Sequence, residues 1–308
     1  MIFQDIKDIP VLVIFFNRPE TLKQVLLSLK KIKPKSVYFA YDGPRINHLD
    51  DALKVNQCLD IIANLCSWES KKNFLSSNDN LGCDLMVPSA ISWFFSHVES
   101  GIILEDDCIV SESFFIFALN VLNKYKNVEK IMNVSAANFQ IHPWGDADYY
   151  FSLYPTNWAW ATWARAWEKF DPDMKEWNRG GHSWLSNLLK DKRQYKYWVR
   201  FFNGLVSKKY TYWDAKWVYS IWISGGLSIT PNFNLVSNIG FGKDATHTKS
   251  ISKGMAALID KVDLPLKHPD LGFEVSYEAD KFLYETRYKP TTIGYTRHFL
   301  RKLGQYVK

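Results

Sequence analysis

Apolar residues along the first 137 positions alternate between two spacings. Residues 11–16 form an unbroken, β-branched-rich apolar run, which predicts a strand buried on both faces. Asn17-Arg18-Pro19-Glu20 follows. Leu22, Val25, Leu26, Leu29 and Ile32 then recur on one face of a helix, with Pro19 suited to its first turn. The same alternation predicts strands over residues 36–41, 73–77, 101–104 and 131–136. Between them it predicts helices over 51–65 and 111–125. A further apolar stripe of Ile91, Phe94, Phe95 and Val98 predicts a helix opening near Pro88. Strand and helix in alternation imply right-handed βαβ units, an α/β fold with a mostly parallel Rossmann-like sheet flanked by helices.

Such sheets hold ligands at the carboxyl ends of their strands. The polar residues just after the predicted strands are therefore the candidates: Asn17 and Arg18, Asp42, and the triplet Glu105, Asp106 and Asp107. Three adjacent carboxylates repel one another, so a positive partner is expected among them. Beyond residue 140 the pattern breaks. All tryptophans except Trp68 and Trp93 fall between Trp144 and Trp222. Broken helices are expected there, then an extended, loop-like stretch over 225–242. Trp160, Trp163 and Trp167 recur at helical spacing, which favours core packing over a sugar-stacking platform. The chain divides into an α/β half at 1–140, a Trp-rich half at 141–255 and a basic extension at 256–308.

Composition narrows the class. At 47% hydrophobic and 23% charged residues, 308 positions support a sizeable globular core. The net charge of +6 is mild and weighted to the C-terminus. It suits an anionic ligand or membrane surface, and no Lys/Arg run of nucleic-acid-binding length appears. The four cysteines form no CxxC pair, which fits a reducing compartment. The segment MIFQDIKDIP lacks the basic-then-apolar plan of a signal peptide, and no apolar run nears the ~20 residues of a membrane span. A cytoplasmic location is expected. Basic and apolar residues alternate over 289–308, so this segment could rest on the inner face of an anionic membrane or pack as a terminal helix with a solvated basic face.

A P-loop, a GxGxxG turn, an HExxH helix, a GxSxG elbow and a metal-spaced Cys/His cluster are all absent. A nucleotide would have to be held by strand-end acids and a hard divalent cation bridging to phosphate oxygens. Each candidate also has a plainer reading. The triplet could cap the next helix, Asp42 could be turn chemistry in YDGP, and Asp214 could start a helix.

The ordered set of NRPE after the first strand, YDGP after the second and ILEDDC after the fourth resembles a GT-A glycosyltransferase, of the bacterial kind related to N-acetylglucosaminyltransferase I. Asn157-Trp158-Ala159-Trp160-Ala161-Thr162-Trp163 resembles the family's segment before the acceptor helix, with Ala159 where the family usually carries glycine. Tyr212-Trp213-Asp214-Ala215-Lys216-Trp217 resembles its catalytic stretch. Thr230-Pro231, Gly240-Phe241-Gly242 and Ala245-Thr246-His247 resemble the mobile loop over the donor.

The resemblance implies a metal-dependent, inverting enzyme. It would move a sugar from a UDP-sugar to a saccharide or lipid-linked saccharide acceptor in bacterial surface polysaccharide or glycolipid synthesis. Asp42 would contact the base, Asp106 the ribose and Glu105 the donor sugar. Asp107 would bind Mn²⁺ or Mg²⁺, with His247 reaching the metal or phosphates. Asn17 and Arg18 would lie along the nucleotide sugar. Asp214 would be the general base, its pKa raised by partial desolvation among Trp213 and Trp217. A nucleotidyltransferase acting on a sugar phosphate and a non-enzymatic carbohydrate-binding protein are the rival readings. The first would need a basic phosphate-binding loop after the first strand, for which Asn17-Arg18-Pro19 is short.

Overall fold

The computed structural model describes residues 2–180, 182–240, 261–270 and 272–288. His247 and the basic stretch from Lys289 onward therefore lie outside the described residues. The expected α/β architecture is present. Strands β1 (Val11–Phe15), β2 (Ser36–Tyr41), β3 (Lys71–Ser76) and β4 (Ser100–Glu105) pair in parallel in the order β3-β2-β1-β4. Helices α1 (Pro19–Ile32), α2 (Leu49–Leu65) and α3 (Cys83–Phe95) connect them. Every residue of β1 is buried, as its continuous apolar run requires. Each such side chain contributes about 1.5–3 kcal/mol on burial.

A short strand β5 (Cys108–Val110) and helix α4 (Glu112–Lys124) lead to β6 (Ile131–Ser135). Strands β7 (Tyr149–Ser152), β8 (Trp160–Trp163) and β9 (Leu227–Pro231) extend the same sheet, giving β3-β2-β1-β4-β8-β6-β9-β7. Only β8 and β7 run against the others. One sheet thus crosses the boundary expected near residue 140. The aromatic half carries α5 (Ala164–Trp167), α6 (Lys175–Asn178), α7 (Ser183–Leu188), α8 (Lys192–Val206) and α9 (Trp213–Ile223). Strand β10 (Val236–Asn238) pairs antiparallel with β5. Helix α10 (Tyr277–Leu283) continues into a π-helical turn, Tyr284–Tyr288. No helix among the described residues is long and apolar enough to cross a membrane.

Three local expectations are corrected. Helix α3 opens at Cys83, five residues before Pro88, which lies inside it. The N–H groups of Leu81 and Gly82 donate to the Asp42 carboxylate at 2.8 Å each, fixing the helix entry by a contact distant in sequence. Trp160 and Trp163 belong to a strand, with α5 starting only at Ala164. Both rings are buried because β8 lies inside the sheet between β4 and β6, so the helical spacing of the tryptophans misleads. Finally, the stretch read as loop-like over 225–242 contains β9 and β10, too short for their alternation to register.

The tryptophans divide by position. Trp160, Trp163, Trp167, Trp213 and Trp217 are buried, with Trp160 and Trp213 stacked at 6.2 Å between centroids. Trp158 stays half-buried at the strand edge. The cluster is core, as its spacing favoured, although the element that carries it is different.

Candidate functional site at the carboxyl edge of the sheet

Parallel register brings the candidates to one edge. Phe15 aligns with Tyr41 and Ile14 with Glu105, so the residues after β1, β2 and β4 emerge side by side. The cation expected among the acids is Arg18. Its Nη1 donates to Asp107 Oδ2 at 2.9 Å, and its Nη2 pairs with Asp106. Arg18 is held there because it is the last residue before Pro19 opens α1, directly above the acids. Burial alone would lower the Arg18 guanidinium. The charges of Asp106, Asp107 and Glu105 and the bond to Asp107 raise it above its ordinary value instead.

Asp106 is 2% exposed and also accepts from the Phe16 N–H at 3.3 Å. Burial pushes its carboxyl up, and Arg18 opposes the rise. Glu105 is raised more clearly, by burial first and then by Asp107 and Asp106, with Arg18 offsetting part and Asp214 adding to it. The acids therefore exceed the cations that face them. Asp107 Oδ1 accepts from Asn238 Nδ2 at 3.1 Å and from the Cys108 thiol, and its carbonyl accepts from the Ile239 N–H at 2.9 Å. A Cβ on Gly240 would collide with the Asp107 carboxylate, so only glycine lets the chain pass there.

Asn17 and Asp42 sit at the same edge in supporting roles. Asn17 Nδ2 donates to Asp51 Oδ1 at 2.6 Å, and Asp51 is gripped by the Arg45 side chain at 2.7 and 2.9 Å. The bond from Arg45 holds the Asp51 carboxyl well below the usual carboxylate range, despite its burial. Asp42 accepts from the N–H groups of Gly43, Leu81 and Gly82, which fixes the 78–82 loop. The turn-chemistry reading of YDGP is therefore the one visible in its bonds.

Asp214 lies in the first turn of α9 and accepts from the Ala215 N–H at 2.9 Å. Tyr212 is the residue at the helix cap, so the cap reading of Asp214 is off by two positions. Asp214 is exposed, which corrects the expected desolvation by Trp213 and Trp217. Trp213 and Trp217, four positions apart, share the helix face that packs into the core. The Asp214 charge acts on Glu105 and on the exposed Cys83 thiol.

Sequence reasoning missed several neighbours. Lys216 Nζ bonds Asp84 Oδ2 at 2.8 Å, tying α9 to the start of α3, while Asp84 Oδ1 is buried without a partner. Lys216 lies two positions beyond Asp214, and that proximity was a usable signal. Asn238 and Asp51 gave none, because each is joined to the site only through tertiary pairing. Ala159 adopts a left-handed φ of 48°, a conformation that favours glycine.

The acids supply hard oxygen donors and a surplus of negative charge, which fits a divalent cation that takes its other ligands from phosphate and water. They do not form an all-protein cage. Among the described residues no group of three or more His, Cys, Asp or Glu is arranged to hold a metal ion.

No family model matches the chain, and no curated protein matches it. Solved structures match distantly. The 4-diphosphocytidyl-2C-methyl-D-erythritol synthase of Anaerococcus prevotii is 12% identical, covering 53% of this chain and 75% of that one, with a TM-score of 0.34. HddC from Yersinia pseudotuberculosis is 11% identical over 51% of this chain and 77% of its own, with a TM-score of 0.29. The same protein complexed with GMP-PN is 9% identical over the same shares, with a TM-score of 0.33. At that distance the likenesses carry no argument about chemistry. This chain is, on its own sheet and helices, a Rossmann-like α/β protein with a cluster of charged side chains at the carboxyl edge of its sheet.

Proposed function

We propose that the chain is a glycosyltransferase that takes a nucleotide-activated sugar, with uridine diphosphate as the leaving group, and transfers it to a saccharide hydroxyl. The observation that supports this best is the buried Asp106–Asp107 pair at the end of β4, clamped by Arg18, with Asp214 near enough for its charge to act on Glu105. On this reading Asp106 and Glu105 accept from ribose and sugar hydroxyls. Asp107 would hold Mn²⁺ or Mg²⁺ together with the donor diphosphate. When bound, the ion offsets negative charge on the departing phosphate oxygens.

Asp214 is exposed and so open to an acceptor. It takes the proton from the acceptor hydroxyl as that oxygen bonds to the anomeric carbon. The bond from that carbon to the diphosphate oxygen breaks, and its electron pair leaves with the nucleoside diphosphate. Attack opposite the leaving group inverts the anomeric centre. His247, Mn²⁺ and a contact between the basic C-terminal stretch and the membrane belong to the same proposal. So does a cytoplasmic place in surface-polysaccharide synthesis.

The second reading is nucleotidyl transfer to a sugar phosphate, which places acids and a metal in a similar cleft. Arg18 favours it as a cation directly after β1. Against it, only Phe16, Asn17 and Arg18 join β1 to α1, without a glycine, leaving little backbone to cradle a triphosphate.

One experiment separates the two. The protein is incubated with a panel of UDP-sugars and saccharide acceptors, and separately with nucleoside triphosphates and sugar phosphates, each with and without Mn²⁺. Release of uridine diphosphate, stimulated by acceptor and metal, is the expected result. Release of pyrophosphate from the triphosphates instead would establish the second reading.

A further inference from the structure

Helices α3 and α9 pack against one another, and an ion pair joins their first turns. Trp213, Lys216, Trp217 and Ser220 recur at helical spacing and share the inward face of α9. The two tryptophans are buried. Beside them Lys216 Nζ bonds Asp84 Oδ2 at 2.8 Å, with 15% of the lysine side chain and 23% of the aspartate side chain exposed. Asp214 follows Trp213 by one residue, about 100° around the helix, and is exposed. Asp214 and Lys216 therefore leave the same turn in different directions, one to solvent and one to α3.

The far side of the pair is fixed to the strand ends. Asp84 is the second residue of α3. Just before it, the N–H groups of Leu81 and Gly82 are held by Asp42 at the end of β2. The Gly82 carbonyl accepts from the N–H groups of Leu85 and Met86 at 3.2 and 2.8 Å, which joins that loop to the first turn of α3. A series of bonds thus runs from the end of β2 to the turn that carries Asp214. Within α9 itself the cap residue Tyr212 makes no side-chain cap bond, so this helix start lacks the local fastening that a serine or aspartate would give. The second Asp84 oxygen is buried without a partner, so the carboxylate depends on Lys216 for compensation. A pair this sheltered is also screened less by salt than one at the surface.

We propose that Lys216 is a positioning residue: through its bond to Asp84 it fixes the first turn of α9, and with it Asp214, at the carboxyl edge of the sheet. Lys216 itself touches no reacting atom. The purpose of the placement rests on the transferase reading, in which Asp214 takes the acceptor proton. The anchor itself does not depend on that reading.

The test compares the full wild-type chain with Lys216→Met, Lys216→Arg and Asp84→Asn in two measurements. In the first, uridine diphosphate release is followed from UDP-glucose, UDP-galactose and UDP-N-acetylglucosamine, with Mn²⁺ and methyl glycosides as acceptors. Lys216→Met should lower kcat by about a hundredfold, the cost of misplacing a reacting group by about 1 Å. KM for the UDP-sugar should stay within about twofold, because donor binding is untouched. Asp84→Asn should lose less, since an amide oxygen still accepts from the ammonium. Lys216→Arg keeps the charge and should retain most of kcat. Lys216→Met added to Asp214→Asn should cost almost nothing further, because the group it places is already gone. In the second measurement, hydrogen exchange over residues 210–218 should be about tenfold faster in Lys216→Met, the scale of one charge-assisted hydrogen bond, with α1 and α4 unchanged. Unaltered kcat or unaltered exchange in Lys216→Met overturns the proposal. So does a full further loss in the Asp214→Asn background, because Lys216 would then act elsewhere. Faster exchange throughout the protein overturns it too, since the pair would then serve stability in general. Silence of the wild type with all three sugars counts against the transferase reading alone, and exchange then decides the anchor.

Discussion

Two regions of this molecule bury aspartate, and they treat it oppositely. At the carboxyl edge of β4, Asp106 and Asp107 meet the Arg18 guanidinium. Under β7, Asp280 is 3% exposed and meets only neutral donors, the Ser152 hydroxyl and the Leu153 N–H. Burial drives the Asp280 carboxyl up to about 7, against the smaller lowering effect of those two bonds. The contrast teaches that burial alone does not mark a working acid. The first region gathers charge that a ligand can answer. The second is a structural joint whose charge state depends on pH.

The comparison can be pressed with substitutions, beginning with the largest effect. Asp107→Ala should reduce uridine diphosphate release by about ten-thousandfold, because the leaving group would lose its metal-bound charge neutralisation. Asp280→Ala should leave the same assay within about tenfold if the protein stays folded. Equal losses at the two positions would erase the distinction. Asp214→Asn should lower turnover by about a thousandfold. Its thermal midpoint should hardly move, because the side chain is exposed. A large stability loss instead would make it structural, like Asp280.

Arg18→Gln should destabilise the fold by about 3 kcal/mol in urea unfolding, since it leaves two acids buried beside a half-exposed partner's place. Mn²⁺ should then recover more stability in this variant than in wild type, because a second cation can answer the same carboxylates. An equal metal effect in both proteins would show that Arg18 and the metal do not share a site.

The pH response supplies the smallest and sharpest test. The folded Asp280 carboxyl titrates above its unfolded value of 3.8, so folding favours its protonated form. Its contribution is fully present below about pH 4 and is lost as pH rises through about 7. Tyr150 and Tyr154 flank it and stay neutral through that window, since burial raises both phenols. Asp280→Asn should remove up to about 3 kcal/mol of the stability lost between about pH 4 and pH 7. Parallel stability curves for variant and wild type would show that Asp280 does not titrate in that range.

Much of this was written in local pattern. Continuous apolar runs announce strands buried on both faces, because no alternation is needed when neither face meets water. The one-face spacing of Leu22, Val25, Leu26, Leu29 and Ile32 announces α1 for the complementary reason, a helix with one buried side. The triplet at Glu105, Asp106 and Asp107 even announced that a cation must sit nearby, since adjacent carboxylates repel. Residue order could not say which cation. Arg18 lies 88 positions from Asp106 and meets it only because β1 and β4 are neighbours in parallel.

Tertiary structure decided everything that depends on such pairing. It made Trp160–Trp163 a strand by enclosing it between β4 and β6, where helical spacing pointed elsewhere. It spent Asp42 on the backbone of the 78–82 loop, exposed Asp214 and brought Arg287 back beside Trp158. The physical reason is common to these cases. Periodicity records which face of an element avoids water, and that is a local property. Which charge meets which is fixed by strand order and register, and these belong to the whole sheet.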